Sequence, residues 1–153
     1  MTEVDPHNEA TFKVCVISSD VQQAEIAKRA VLQDVERCRF RKEARFAIKL
    51  ALEETLCNAI KHGNKNDPSK NVTVRYAVTP EMAVVIVRDE GGGFIPDNIP
   101  DPTSVDRLPL PDGRGIMLLR AYMDKVEFRD RGREVYFMKL GTKPGSAGKR
   151  ARR

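Results

Sequence analysis

Two apolar, β-branched runs, residues 72–78 and 82–88, are separated only by Thr79-Pro80-Glu81. A three-residue connection is too short to carry a chain over a sheet to a parallel position, so the runs predict an antiparallel hairpin. A second pair, residues 125–129 and 134–140, flanks Asp130-Arg131-Gly132-Arg133 and predicts another hairpin. Residues 11–18 (TFKVCVIS) mix β-branched and aromatic side chains with partial alternation and read as a further strand.

Helical spacing fills the intervals. After Ser19-Asp20, an N-cap signal, residues 21–37 place Ile26, Ala27, Ala30, Val31 and Val35 on one face. Residues 41–62 do the same with Ala44, Ile48, Ala51, Leu52, Leu56 and Ala59, Gly63 is a natural stop, and the turn-rich NKNDPSKN follows. Residues 91–115 hold five of the nine prolines (Pro96, Pro100, Pro102, Pro109, Pro111), and residues 116–123 return to helical spacing. A loop of that length in a compact domain usually serves as a lid or binding loop, or is disordered. The order β-α-α-β-β-loop-α-β-β predicts an α+β fold: a two-layer sandwich, its mostly antiparallel sheet carrying helices on one face. A chain of 153 residues is expected to form one domain. Its expected extent is residues 11–140, with residues 1–10 a flexible N-terminal segment and residues 141–153 a basic, disordered tail.

Charge and cysteine usage narrow the function classes. The net charge of +5 resides in the tail, where Lys143, Lys149, Arg150, Arg152 and Arg153 have no acidic neighbour. Taking those five from the 27 leaves 22 basic residues against 22 acidic, so the body is balanced and no direct nucleic-acid partner is expected. No apolar run is long enough to cross a bilayer, and MTEVDPHNEA lacks the basic and apolar regions of a signal peptide, so the expected location is the cytoplasm. Cys15, Cys38 and Cys57 form no CxxC pair and are expected as small buried side chains.

Three constellations carry chemistry. Glu54 and Asn58, four apart, share one helical face, with Ala47 and Ala51 clearing space on that stripe. A carboxylate can accept a proton and an amide oxygen suits Mg²⁺, although alone such a pair is ordinary helix surface. Glu53 lies about 100° round the helix and is expected in solvent. Asp89-Glu90-Gly91-Gly92-Gly93-Phe94 follows a hydrophobic strand. An aspartate there can accept a hydrogen bond from an exocyclic amine, while the glycines admit a base and sugar; alone, this is also a capped turn. Gly113-Arg114-Gly115-Ile116 opens a helix whose free N–H groups and dipole favour a phosphate, or forms a flexible entry turn.

The order of the three, E-x-x-x-N helix, strand ending D-x-G-x-G, and proline-rich loop closed by G-x-G, resembles the nucleotide boxes of GHKL ATPases with the Bergerat fold. Within that superfamily, EETLCNAIKHGN, RDEGGGF and DGRGIMLLRAYMD are similar to bacterial anti-sigma-factor serine/threonine kinases. The resemblance spans residues 11–140. It implies that Glu54 is the catalytic base, Asn58 the Mg²⁺ ligand and Asp89 the reader of adenine. Gly91, Gly93 and Phe94 would line the base and sugar, and Gly113, Arg114, Gly115 and Ile116 the phosphates. His62-Gly63 fits the pattern just after the asparagine, and the segment between the glycine boxes matches the ATP lid. The implied cofactors are ATP and Mg²⁺. The implied partners are a sigma factor, a STAS-type anti-anti-sigma protein and a second copy of the chain. A nucleotide-dependent binder that transfers no phosphate is the alternative, and the retained Glu54 weighs against it.

Overall fold

The computed structural model describes residues 3–92 and 119–141. Its elements are β1 (Lys13–Ser18), α1 (Val21–Arg37), α2 (Lys42–Cys57), a π-helical turn (Asn58–Gly63), β2 (Asn71–Val78), β3 (Met82–Arg88), β4 (Lys125–Arg129) and β5 (Glu134–Leu140). Among the described residues the five strands form one sheet in the order β1-β2-β3-β5-β4, and every pairing is antiparallel. The two expected hairpins are present, and together with the helices they make the α+β fold that the spacing predicts. No helix among the described residues is long and apolar enough to cross a membrane.

Alternation along the strands sends Ile17, Val72, Val74, Val85, Val87 and Phe137 to the inner face, all nearly or fully buried. They meet Ala27, Val31 and Val35 of α1 and Ala44, Ile48, Leu52 and Leu56 of α2 in one continuous core. Asp20 caps α1 as its position predicts, its carboxylate accepting from the Gln22 N–H at 2.9 Å. The cysteines differ from expectation: all three are half-buried thiols, and burial pushes those of Cys15 and Cys38 above their ordinary range.

The outer face is smaller. Phe12, Ala77, Val84 and Ile86 form its apolar centre, with Val4, Tyr136 and Met138 packed against them. Residues 3–10, expected as a flexible segment, include Val4 in that packing, and a short 3₁₀ turn (Glu9–Thr11) precedes β1. Glu9 accepts hydrogen bonds from Arg75 at 3.3 Å and Arg129 at 3.2 Å, which ties this segment to β2 and β4.

The largest departure from the periodicity lies in the second helix. Apolar spacing predicts one helix over residues 41–62, but α2 ends at Cys57 and Asn58–Gly63 widens into a π-helical turn. Its closing bonds run from the Asn64 N–H to the Ala59 carbonyl and from the Asn66 N–H to the Ile60 carbonyl, both 2.8 Å. Such turns are uncommon and recur at functional sites.

Candidate nucleotide site

The site forms where the widened end of the second helix meets the end of β3. Asp89 follows β3 directly, and its N–H donates to the Arg133 carbonyl at 2.9 Å, which continues the β3–β5 pairing by one residue. Its side chain then turns inward to 4% exposure. One carboxylate oxygen, Oδ1, accepts the Gly91 N–H at 2.8 Å. Burial raises the Asp89 carboxyl above the ordinary carboxylate range, and the Gly91 N–H and the Arg133 and Arg88 guanidiniums pull against that rise.

Two glycines make this approach possible. A Cβ on Gly63 would land on the Asp89 carboxylate, and a Cβ on Gly91 would land on the Gly63 carbonyl. Helix end, strand end and loop therefore touch backbone to side chain and backbone to backbone, with no room for a methyl group. Gly63 is thus more than a helix stop, because it forms the wall against which Asp89 packs.

Asn64 holds the same junction from beneath. It is 1% exposed, and its amide makes three of the four hydrogen bonds open to it. Its Nδ2 donates to Ser19 Oγ and to the Asn71 carbonyl, both at 2.9 Å, and its Oδ1 accepts the Glu90 N–H at 2.7 Å. The Asn71 N–H donates in turn to Glu90 Oε1 at 2.7 Å. One side chain thereby links the β1–α1 turn, the start of β2 and the end of β3. Within NKNDPSKN a lone Asn looks like one turn residue among several, so this role has no local sequence signal.

Asn58 and Asp89 line one cleft, together with Thr55, Val87, Leu119 and Arg133. Glu54 stands one turn earlier and lines a neighbouring, tighter pocket with Ala47, Ala51, Leu119, Tyr122 and Met123. The space expected in front of Ala47 and Ala51 is therefore shared with side chains from residues 119–123. Glu53 lies at the surface, as expected, paired with Lys28 at 3.1 Å. His62 is exposed and lies outside the residues lining the cleft. Gly93, Phe94, Gly113, Arg114, Gly115 and Ile116, the segment between the glycine boxes, and the tail beyond residue 141 lie outside the described residues.

Among the described residues no three His, Cys, Asp or Glu side chains come together as a metal cluster. The donor set does fit Mg²⁺ accompanied by a polyphosphate: that ion keeps water and phosphate oxygens and needs only one or two oxygen ligands from protein. Asn58, half-buried at the cleft, presents such an oxygen.

Comparison with known proteins identifies the family and its relatives. The profile of the family described as histidine kinase-like ATPase domain matches residues 17–139. The serine-protein kinase RsbW of Bacillus subtilis is 33% identical over 91 residues, which cover 54% of this chain and 56% of that protein. The anti-sigma F factor of Oceanobacillus iheyensis is 29% identical over 97 residues, covering 60% of this chain and 66% of the relative. That of Geobacillus stearothermophilus is 33% identical over 98 residues, with the same coverage. The chain thus spans between about half and two thirds of the length of the curated relatives it matches. With its antiparallel sheet, its helices on one face and a profile match over most of its length, the chain belongs to the GHKL, or histidine kinase-like, ATPase family.

Proposed function

We propose that residues 11–140 form an ATP-dependent protein serine/threonine kinase of the anti-sigma type, which holds a sigma factor and phosphorylates a STAS-type anti-anti-sigma protein. The observation that carries the reading is the meeting of Asn58 and Asp89 in one cleft, with Glu54 a single helical turn away. The names of the matched relatives, anti-sigma factor and serine-protein kinase, support the same reading.

In this reading Asp89 accepts a hydrogen bond from the exocyclic amine of adenine, and the close contact of Gly63 and Gly91 keeps its carboxylate in place. Asn58 holds Mg²⁺ through its amide oxygen, and the ion supplies charge neutralisation at the phosphates. Phosphoryl transfer rests on positioning and charge neutralisation, so the remaining requirement is a group that takes the acceptor proton. The acceptor hydroxyl oxygen bonds to the γ-phosphorus, the bond from that phosphorus to the β,γ-bridging oxygen breaks, and Glu54 takes the proton. ADP leaves with its terminal phosphate oxygen bearing the charge.

The test is transfer of labelled γ-phosphate to STAS-domain proteins of the same genome, with Glu54→Gln beside the wild type. General-base assistance is typically worth about 10²- to 10⁴-fold, so the variant should lose at least that much transfer at nearly unchanged ATP affinity. Transfer at the wild-type rate would remove Glu54 from the chemistry. A wild type that binds ATP and a sigma factor yet phosphorylates no STAS protein would make the chain a nucleotide-dependent binder.

A further inference from the structure

Arg133 sits in the turn between β4 and β5, at the wall of the cleft that also holds Asp89 and Asn58. Its surroundings leave a charged donor unused. Nη1 donates to the Gly91 carbonyl at 3.3 Å. Nε is buried and has no hydrogen-bond partner among the described residues. The nearest carboxylate, Asp130, stands 3.6 Å from Nε, close enough for an ion pair but beyond a hydrogen bond, and Asp130 itself accepts from Arg88. Native proteins leave few buried donors unpaired, and a guanidinium nitrogen is among the costlier ones to strand.

Nε itself has no open surface, but the Arg133 side chain that carries it is 26% exposed and lines the cleft with Asp89, so its other guanidinium N–H groups are the ones open to a ligand. Both side chains bracket the same residue: Asp89 accepts the Gly91 N–H, and Arg133 donates to the Gly91 carbonyl. A carboxylate acceptor and a guanidinium donor thus line one cleft, both anchored on Gly91. Adenine presents the complementary pair on adjacent ring positions, an N6 amine that donates and an N1 nitrogen that accepts. In the same pose guanine presents the reverse, a carbonyl opposite Asp89 and an N1–H opposite Arg133, so both contacts become repulsive.

We propose that Arg133 is a second base-reading residue of the cleft, donating to N1 of adenine while Asp89 accepts from the N6 amine. The proposal rests on the reading that this cleft takes ATP. It deepens that reading by making discrimination a two-point match rather than the work of one carboxylate.

The experiment is calorimetric binding of ATP and of 1-deaza-ATP, which keeps the N6 amine and replaces N1 by C–H, to wild type, Arg133→Met and Arg133→Lys. A hydrogen bond to a charged donor is worth about 10- to 150-fold in affinity, so the wild type should prefer ATP over the deaza analogue by at least about tenfold. Arg133→Met should bind the two equally, whereas Arg133→Lys, which keeps a cationic donor, should retain part of the preference. A structural role alone would weaken both ligands together and leave their ratio intact. Equal wild-type affinities for the two nucleotides, or a full preference surviving in Arg133→Met, would overturn the assignment while leaving the ATP site standing. A wild type that binds neither nucleotide would overturn both. Should Arg133→Met fail to fold, the wild-type ratio and the lysine variant still decide.

Discussion

Lys42–Cys57 and Asn58–Gly63 are consecutive stretches of one helical rod, yet they answer to different neighbours. The first places Ala44, Ile48, Leu52 and Leu56 against the sheet, and any well-packed apolar set on that stripe would serve. The second is a π-helical turn whose last residue touches the Asp89 carboxylate and the Gly91 backbone, and whose successor Asn64 joins three separate segments. In the first stretch the contacts are many and interchangeable. In the second they are few and each has one solution. Core and site thus adjoin along one helix but should respond differently to substitution.

The sharpest way to separate the two stretches is a cavity in the first. Leu52 is fully buried, so Leu52→Ala should cost about 2–5 kcal/mol in chemical denaturation. At temperatures where the variant is folded, its ATP affinity should match the wild type. A matching fall in affinity would show that the core half also shapes the cleft, and the comparison would break.

A methyl group added at the junction should do the converse, with a smaller stability cost and a direct effect on binding. Gly91→Ala drives a Cβ into the Gly63 carbonyl, which is backbone and yields only by moving the chain. Overpacking of this kind typically costs about 1–3 kcal/mol. Gly63→Ala meets the Asp89 side chain instead, which can rotate away, so it should unfold less readily while displacing the carboxylate. Thermal melts should rank Gly91→Ala below Gly63→Ala, and both should bind ATP more weakly than wild type. The opposite ranking would mean that the Asp89 side chain is the stiffer partner.

The smallest stability effect belongs to Asp89→Asn, and its sign depends on pH. The folded-state pKa of Asp89 is raised, because burial penalises the charge more than Gly91 and the arginines reward it. A raised folded pKa contributes stability that is present below the ordinary carboxylate value of about 4 and is lost as pH rises through the folded pKa. Asparagine cannot ionise, so the stability of the variant relative to wild type should climb across that window in urea titrations. ATP affinity should move the other way, about 5- to 150-fold weaker, as expected for one altered hydrogen-bonding group in a buried site. A stability difference that stays flat with pH would mean that the carboxylate is not held charged against burial.

Much of this molecule is legible along the chain. The strands over Asn71–Val78, Met82–Arg88 and Glu134–Leu140 match the apolar runs closely, and α1 matches its periodicity and its Asp20 cap. The candidate site is legible in part: Glu54, Asn58, Asp89 and Gly91 were identified by type and spacing, and the fold brings Asn58 and Asp89 to one cleft. Glu54 faces side chains of residues 119–123 across a separate pocket, a neighbour that spacing within one helix does not reveal. Arg133 and Asn64 gave no signal at all, since each looks like an ordinary turn residue until distant segments are laid beside it.

That contrast follows from the range of the forces involved. Hydrophobic periodicity and capping act over a few residues, so strand and helix identity, the antiparallel hairpins and the α+β class are written in local order. The switch from α to π at Asn58, the packing of Gly63 on Asp89 and the threefold hydrogen bonding of Asn64 join residues up to 45 positions apart. No local pattern can encode them. They are decided when the sheet closes, because a buried carboxylate and a buried amide must then find partners wherever the tertiary structure brings them.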